Sequence, residues 1–237
     1  MDYPIAQQTT KQDLNVIADM LAQAFIDEPG LSWVIPDKTV RGKILPGFFA
    51  SIVGGTYRNG VLLHAADNTA ATLWRYPHKT SPGFFEMLAG LPAMLSFLKN
   101  AGPRAKVMGQ ACHAHYPETP FRYLQFAGVL PSMQGRGKGG VLIRAGLAAA
   151  ASAGDSVYLE TPKPENVSLY SNFGFEIIDE CEIDNINYFV AKKVKVIRKV
   201  KDPKFSILFK MPRIGQKGER IFVYKIRTMH PYSEYLQ

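Results

Sequence analysis

At 237 residues, 46% hydrophobic and 20% charged, the chain has the length for one well-buried domain plus an appendage and the composition of an ordinary globular protein. No apolar run approaches the ~20 residues of a membrane span, and the first residues lack the basic start and apolar core of a signal peptide. Two cysteines, Cys112 and Cys181, form neither a disulfide framework nor a metal-ligand spacing, so the expectation is a reduced, cytoplasmic protein without a metal.

In chain order, residues 10–26 carry Leu14, Ile17, Ala18, Leu21, Ala24 and Phe25 as a helical stripe, started by Thr10 and Asp13. Asp37 caps a second predicted helix bearing Ile44, Leu45, Phe48, Phe49 and Ile52, in which Pro46 predicts a kink or a break. Residues 61–65 and 69–76, joined around Asp67-Asn68, read as a hairpin. Helices are predicted over 84–98 and 104–113, with Pro92 disturbing the first. Residues 123–130 are a mostly apolar run that suits a buried central strand. A helix over 140–152 follows, rich in alanine, and strands over 157–160, 175–182 and 187–194 complete the body. Strands and helices interleave. That order predicts an α/β or α+β fold with a mixed sheet.

Between the central strand and the alanine-rich helix lies Pro131-Ser132-Met133-Gln134-Gly135-Arg136-Gly137-Lys138-Gly139-Gly140. Four glycines free the backbone for positive φ and remove side chains that would block a ligand. N–H groups can then turn inward at a helix N-terminus, where the macrodipole favours anions. The loop is suited to a phosphate. It lacks both the Lys-Ser/Thr ending of a P-loop and the Gly-x-Gly-x-x-Gly spacing of a dinucleotide site.

The motif Gln134-x-x-Gly137-x-Gly139, behind a strand ending in Val-x-Pro, resembles the acetyl-CoA signature of the GCN5-related N-acetyltransferases (GNAT). Downstream, residues 157–175 resemble the family's next strand, its Asn-x-x-x-Tyr helix at Asn166 and Tyr170, and a Gly-Phe opening a further strand. Residues 24–29, 33–37 and 115–117 further resemble the branch that includes puromycin N-acetyltransferase. The likeness covers residues 1 to about 195. It implies a mixed central sheet flanked by helices and splayed open between the strands ending near Leu130 and Glu160. It also implies an N-acetyltransferase that passes an acetyl group from acetyl-CoA to the amine of a small molecule, by direct attack in a ternary complex.

Acyl transfer from a thioester to an amine needs a held cofactor, a polarised carbonyl, a neutral amine and a protonated leaving thiolate. The resemblance assigns the CoA pyrophosphate to the N–H groups of Gln134, Gly135, Arg136, Gly137, Lys138, Gly139 and Gly140. The side chains of Arg136 and Lys138 either add charge there or point to solvent. Val129 receives the pantetheine arm through its main chain and supplies an N–H to the oxyanion. Tyr170, one helical turn after Asn166, becomes the general acid for the thiolate, against the alternative of packing beside Phe173 and Phe175. A phenol, with a pKa of ~10, is neutral at pH 7 and can donate its proton. Asn166 either bridges the cofactor arm or caps its helix.

Glu160 ends its strand facing the splay and is the expected base, unless it is a structural carboxylate that receives N–H groups of the next turn. Asp27 and Glu28 fall where the family contacts substrate, although solvated loop acids read the same. His113, His115 and Glu118 cluster before the central strand without further ligands at metal-binding spacing. Trp33, Phe48, Phe49, Trp74 and Phe85 divide between core and the wall of an acceptor site.

The formal charge of +8 is unevenly placed. Residues 1–190 hold 15 Lys+Arg and 17 Asp+Glu, so the body presents no basic surface for nucleic acid. Residues 191–237 hold 13 basic residues against Asp202, Glu219 and Glu234. Within this tail, Lys210-Met-Pro-Arg213-Ile-Gly215-Gln-Lys-Gly218 and Tyr224-Lys225-Ile-Arg227-Thr228-Met229 resemble the opening of bacterial sugar transferases that load polyprenyl phosphate. No re-entrant apolar helix precedes it, and no acidic catalytic residues follow. The expected organisation is an acetyltransferase domain over 1–195 and a basic extension over 196–237, which contacts an anionic membrane surface. The alternative is an acyl-CoA-binding or regulatory module at the front of a bifunctional sugar transferase.

Overall fold

Side chains that the sequence sets just ahead of them start each of the first three helices. The structure, a computed structural model, describes residues 5, 9–80, 91–184, 186–193, 208–214 and 220–226. At α1 (Lys11–Ala24), Thr10 accepts the Asp13 N–H while the Asp13 carboxylate accepts the Thr10 N–H, the reciprocal box its sequence predicts. A short α2 (Pro29–Val34), absent from the sequence reading, begins with the Glu28 carboxylate accepting the Leu31 N–H at 2.7 Å. Asp37 accepts the N–H groups of Thr39 and Val40 and starts α3 (Lys38–Asn59).

The predicted break at Pro46 does not occur; α3 runs through it for 22 residues. A proline inside a helix costs ~3 kcal/mol. Leu45, Phe49 and Val53 are each 0% exposed on the same helix, and their burial offsets that cost.

β1 (Gly60–His64) and β2 (Ala70–Arg75) form the expected hairpin, its turn holding Asn68 at φ 54. The two helices predicted next are one, α4 (Leu91–Ala114), with Pro103 inside it. The start of that prediction, 84–90, lies outside the described residues. β3 (Phe121–Val129), a 3-10 turn (Pro131–Met133), α5 (Lys138–Ala153), β4 (Ser156–Thr161), α6 (Pro164–Asn172), β5 (Glu176–Ile183) and β6 (Ile186–Lys193) follow. The strands make one mixed sheet in the order β1-β2-β3-β4-β6-β5.

Alternation along β2 divides the core between the two faces of this sheet. Ala71 and Leu73 pack with Ile17 and Leu21 of α1 and with Leu45, Phe49 and Val53 of α3. Trp74 points the other way, into a cluster with Ile143, Leu147 and Ala150 of α5 and Val157 and Leu159 of β4. Gly146 lets α5 approach that closely, since a Cβ there would overlap the Trp74 indole. On the first face Gly128 does the same for α1, whose Leu21 and Phe25 occupy the space a side chain would need.

The sheet opens in its middle. β3 and β4 run parallel and pair only from Phe121–Tyr123 to Ser156–Tyr158; beyond those residues the strands part. Opposite Leu73 and Trp74 stand Phe126 and Leu124, so Gln125 is an extra residue in β3. Such a bulge bends a strand. It lies at the point where β3 leaves β4.

The chain divides into two compact units, Met1–Lys195 and Val196–Gln237. In the second, β7 (Leu208–Ile214) pairs antiparallel with β8 (Arg220–Ile226). The tail-motif residues 215–218 and 227–229 lie outside the described residues. Among those described, no helix is long and apolar enough to cross a membrane.

Candidate active site

Beyond Val129 the chain makes its 3-10 turn, passes Gly135 at φ +75 and Gly137 at φ +81, and enters α5 at Lys138. A Cβ at either glycine would meet nothing within 4 Å. Their φ values call for glycine, and the open space leaves the amides approachable. No side chain caps α5. Its first N–H groups have no partners within the helix, which makes this end an anion site. Gln134 folds back and donates from Nε2 to the Val129 carbonyl at 3.2 Å.

Val129 lies on the opened edge. The Leu130 N–H donates to the Thr69 carbonyl at 2.8 Å while Ala70 stands opposite Val129. In an antiparallel ladder that geometry makes Ala70–Val129 a non-hydrogen-bonded pair. The N–H and C=O of Val129 therefore point away from β2, toward the gap. By the same alternation those of Ala127 do too.

A cavity of about 610 Å³ fills the gap and continues past it. Val129, Gln134, Gly139 and Gly140 line one end, and Asn166 and Tyr170 line it from α6. Glu160, Tyr123, Tyr116, Cys112 and Glu28 line the other part. Asn166 donates from Nδ2 to Thr161 Oγ1 at 3.2 Å, joining the end of β4 to the first turn of α6. Tyr170 packs edge-on against Phe175 with centroids 5.7 Å apart, and burial pushes its phenol up to about 12. The hydroxyl stays protonated at neutral pH.

Glu160 is the electrostatic centre. Burial pushes its carboxyl up to about 7, and the hydroxyls of Tyr123 and Tyr158 partly oppose the shift. Its Oε1 is closed off from solvent without a hydrogen-bond partner of good geometry among the described residues. Tyr158 precedes it by two on β4, so both side chains share one face, and Tyr123 stands beside Tyr158 in register. Tyr116 closes the group, its ring 5.3 Å from Tyr158 and 5.8 Å from Tyr123. Burial and the nearby Glu160 push all three phenols upward. Sequence reading missed this aromatic cage, although Tyr158-x-Glu160 on a strand was a signal for part of it.

Residues 64–175 match the model of the acetyltransferase (GNAT) family. That stretch is similar to the family, and the mixed, splayed sheet that contains it is a GNAT-like fold. The chain's fold is similar to that of a histone acetyltransferase HPA2-related acetyltransferase from Corynebacterium glutamicum, at TM-score 0.63 and 20% identity over 84% of this chain and 100% of that one. It is also similar to arylalkylamine N-acetyltransferase 2 from Aedes aegypti, at TM-score 0.53 and 12% identity over 82% of this chain and 99% of that one. The splayed sheet expected from the motifs is the one observed.

The fold brings most of the expected site residues to one cavity and moves others away. Arg136 is exposed on the loop. Lys138, expected either at phosphate or in solvent, is 3% exposed, with its ammonium on Asp67 and on Thr69 Oγ1 at 2.7 Å. The ammonium is thus directed to the turn between β1 and β2, an arrangement neither alternative anticipated. Asp27 lies outside the described cavity lining and pairs with Lys38 at 2.8 Å and Arg41 at 3.6 Å, the Lys38 bond holding its carboxyl low, as the solvated-acid alternative has it. Glu28 lines the cavity while capping α2, and burial pushes it upward.

His115 leaves the site by bonding Asp179 at 2.6 Å, whereas His113 lies against Tyr116 at the cavity wall. Phe48 lines the cavity, Phe49 and Trp74 are core, and Trp33 donates to Asp184. Phe85 lies outside the described residues.

Proposed function

We propose that the chain is an N-acetyltransferase that moves the acetyl group of acetyl-CoA onto the amine of a small molecule, both being bound together. One observation carries this reading. A single cavity runs from the uncapped N-terminus of α5, past the free edge of β3, to the buried carboxyl of Glu160. The residues present fit a CoA thioester. Uncapped amides suit a pyrophosphate, an unpaired strand edge suits the amide-bearing pantetheine arm, and the splay gives that arm a way in.

Acetyl-CoA would supply an activated acyl carbon. The Val129 N–H is aimed into the gap and serves as the donor for negative charge on the acyl oxygen. Glu160, poised near neutral pH, takes a proton from the incoming ammonium. The neutral amine forms the C–N bond, the C–S bond breaks with Tyr170 giving its proton to the leaving sulfur, and the surplus proton on nitrogen restores the phenol. Asn166 holds the start of α6, and with it Tyr170, to the end of β4.

The experiment is a steady-state assay of CoA release in which acetyl-CoA and amine are both varied. Intersecting double-reciprocal lines are expected. Parallel lines would mean an acetyl-enzyme and would overturn direct attack.

A further inference from the structure

The half of the cavity beyond Glu160 has a chemical character of its own. Phe25, Phe48, Phe97 and Phe126 line it from α1's end, α3, α4 and β3. The rings touch one another: Phe48 stacks on Phe97 with centroids 4.7 Å apart, and Phe25 meets Phe126 edge-on at 5.4 Å. Along α4, beyond Phe97, the lining residues Ala105, Met108, Gly109 and Cys112 are spaced i, i+3, i+4 and i+7 as one uncharged stripe, with His113 at its end. Cys112 adds no nucleophile, because burial pushes its thiol up to about 12.

Charge is scarce in this half. The acids on the described lining are Glu28 and Glu160. Glu28 already caps α2 through the Leu31 N–H and feels the Lys163 ammonium. Glu160 Oε1 is the buried acceptor left over. One carboxyl oxygen left without a partner among the described residues matches one amino group, and walls of phenyl and thioether groups match an apolar body. A second ammonium would find Glu28, already bonded to the Leu31 N–H, and a set of hydroxyls would have to share the few polar groups of the lining, His113, Gln125 and Thr80, at a cost in affinity.

We infer that the acceptor is an apolar monoamine, a single amino group on an aromatic or similarly apolar body, and that polyamines and amino sugars are excluded. This rests on the acetyltransferase reading for the role of the amine but not for its binding. Gly109 offers the sharpest probe. A Cβ there meets nothing within 4 Å, so a larger side chain would extend into the space without colliding with the helix packing.

The test is calorimetric binding of 2-phenylethylamine, spermidine and glucosamine to the full chain, with and without CoA. Gly109→Trp is measured alongside, with Gly109→Leu as a gentler filler, and circular dichroism checks their folding. The expected result is 2-phenylethylamine binding at least about tenfold tighter than the other two, as discrimination by an apolar pocket allows. That preference should be lost in the filled variants. Equal affinities, a preference for spermidine or glucosamine, or full retention in a folded Gly109 variant would overturn the inference. Failure of acetyl transfer with the binding preference intact would instead count against the acetyltransferase reading.

Discussion

Lys138 is the first residue of α5, yet its ammonium reaches back to Asp67 in the turn between β1 and β2, 71 residues earlier in the chain. The same turn is tied to α1, since Asn68 donates from Nδ2 to Asp13 at 2.8 Å. The glycine loop is thus anchored at its last residue to a hairpin that is itself anchored to a capped helix. Such an anchor restricts the amides that would hold a pyrophosphate, and it does so from outside the cavity.

Asp67→Asn should therefore raise the KM for acetyl-CoA more than it lowers kcat. It should also cost about 1–2 kcal/mol of stability, less than a fully buried pair because Asp67 is half in solvent. Steady-state kinetics beside chemical denaturation would check both. A drop in stability with an unchanged KM would reduce the pair to a purely structural link.

Gly137→Glu should abolish acetyl-CoA binding, measured by calorimetry. Gly137 sits at φ +81, where a side chain is strained, and the new carboxylate would repel a phosphate from the amides beside it. Undiminished affinity in this variant would mean that the cofactor binds elsewhere.

Local signals were legible in the sequence, and signals made by distant residues were not. The Thr10–Asp13 box, the Asp37 cap and the glycine loop act within a few residues and were read directly. The six residues of α2 are too few for a helical period to show. Pro46 breaks helices by local rules, and only the buried neighbours on α3 overrule it. Lys138 looked like an exposed loop cation because Asp67 is far away in sequence. Likewise the phenol cage around Glu160 depends on the parallel register of β3 and β4, which no local pattern encodes.

Tyr170→Phe should lower kcat by about 10²–10⁴-fold with little change in the KM for acetyl-CoA, as expected of a group needed in the transition state. The contact with Phe175 survives in the variant, so packing alone predicts no such loss. Retention of kcat across pH 6–9 would make Tyr170 a packing residue.

Truncation after Lys195 should leave acetyl transfer intact, since the six-stranded sheet is contained in Met1–Lys195. The basic excess of the removed segment should instead support salt-sensitive sedimentation with anionic vesicles, at ~1 kcal/mol per suitably placed cation. Lost turnover would mean that the tail completes the catalytic body. Vesicle binding unaffected by truncation would remove the membrane-surface role.

The pH dependence should report Glu160. A base must be deprotonated to act, so kcat/KM should rise with pH through about 7 and then level off. Glu160→Gln should lower the rate and remove that limb. Tyr123→Phe deletes a hydroxyl that holds the carboxyl down, so its limb should move to higher pH. Stability should follow the opposite course. The carboxyl is raised in the folded state above its unfolded value of ~4.3, so the folded chain binds this proton more tightly. That contribution is complete below pH ~4 and is lost as pH rises through about 7. Glu160→Gln abolishes the loss, so its stability relative to the parent should be greater at pH 9 than at pH 5 in denaturant titrations. A parent and variant with parallel pH profiles in both rate and stability would exclude Glu160 as the base.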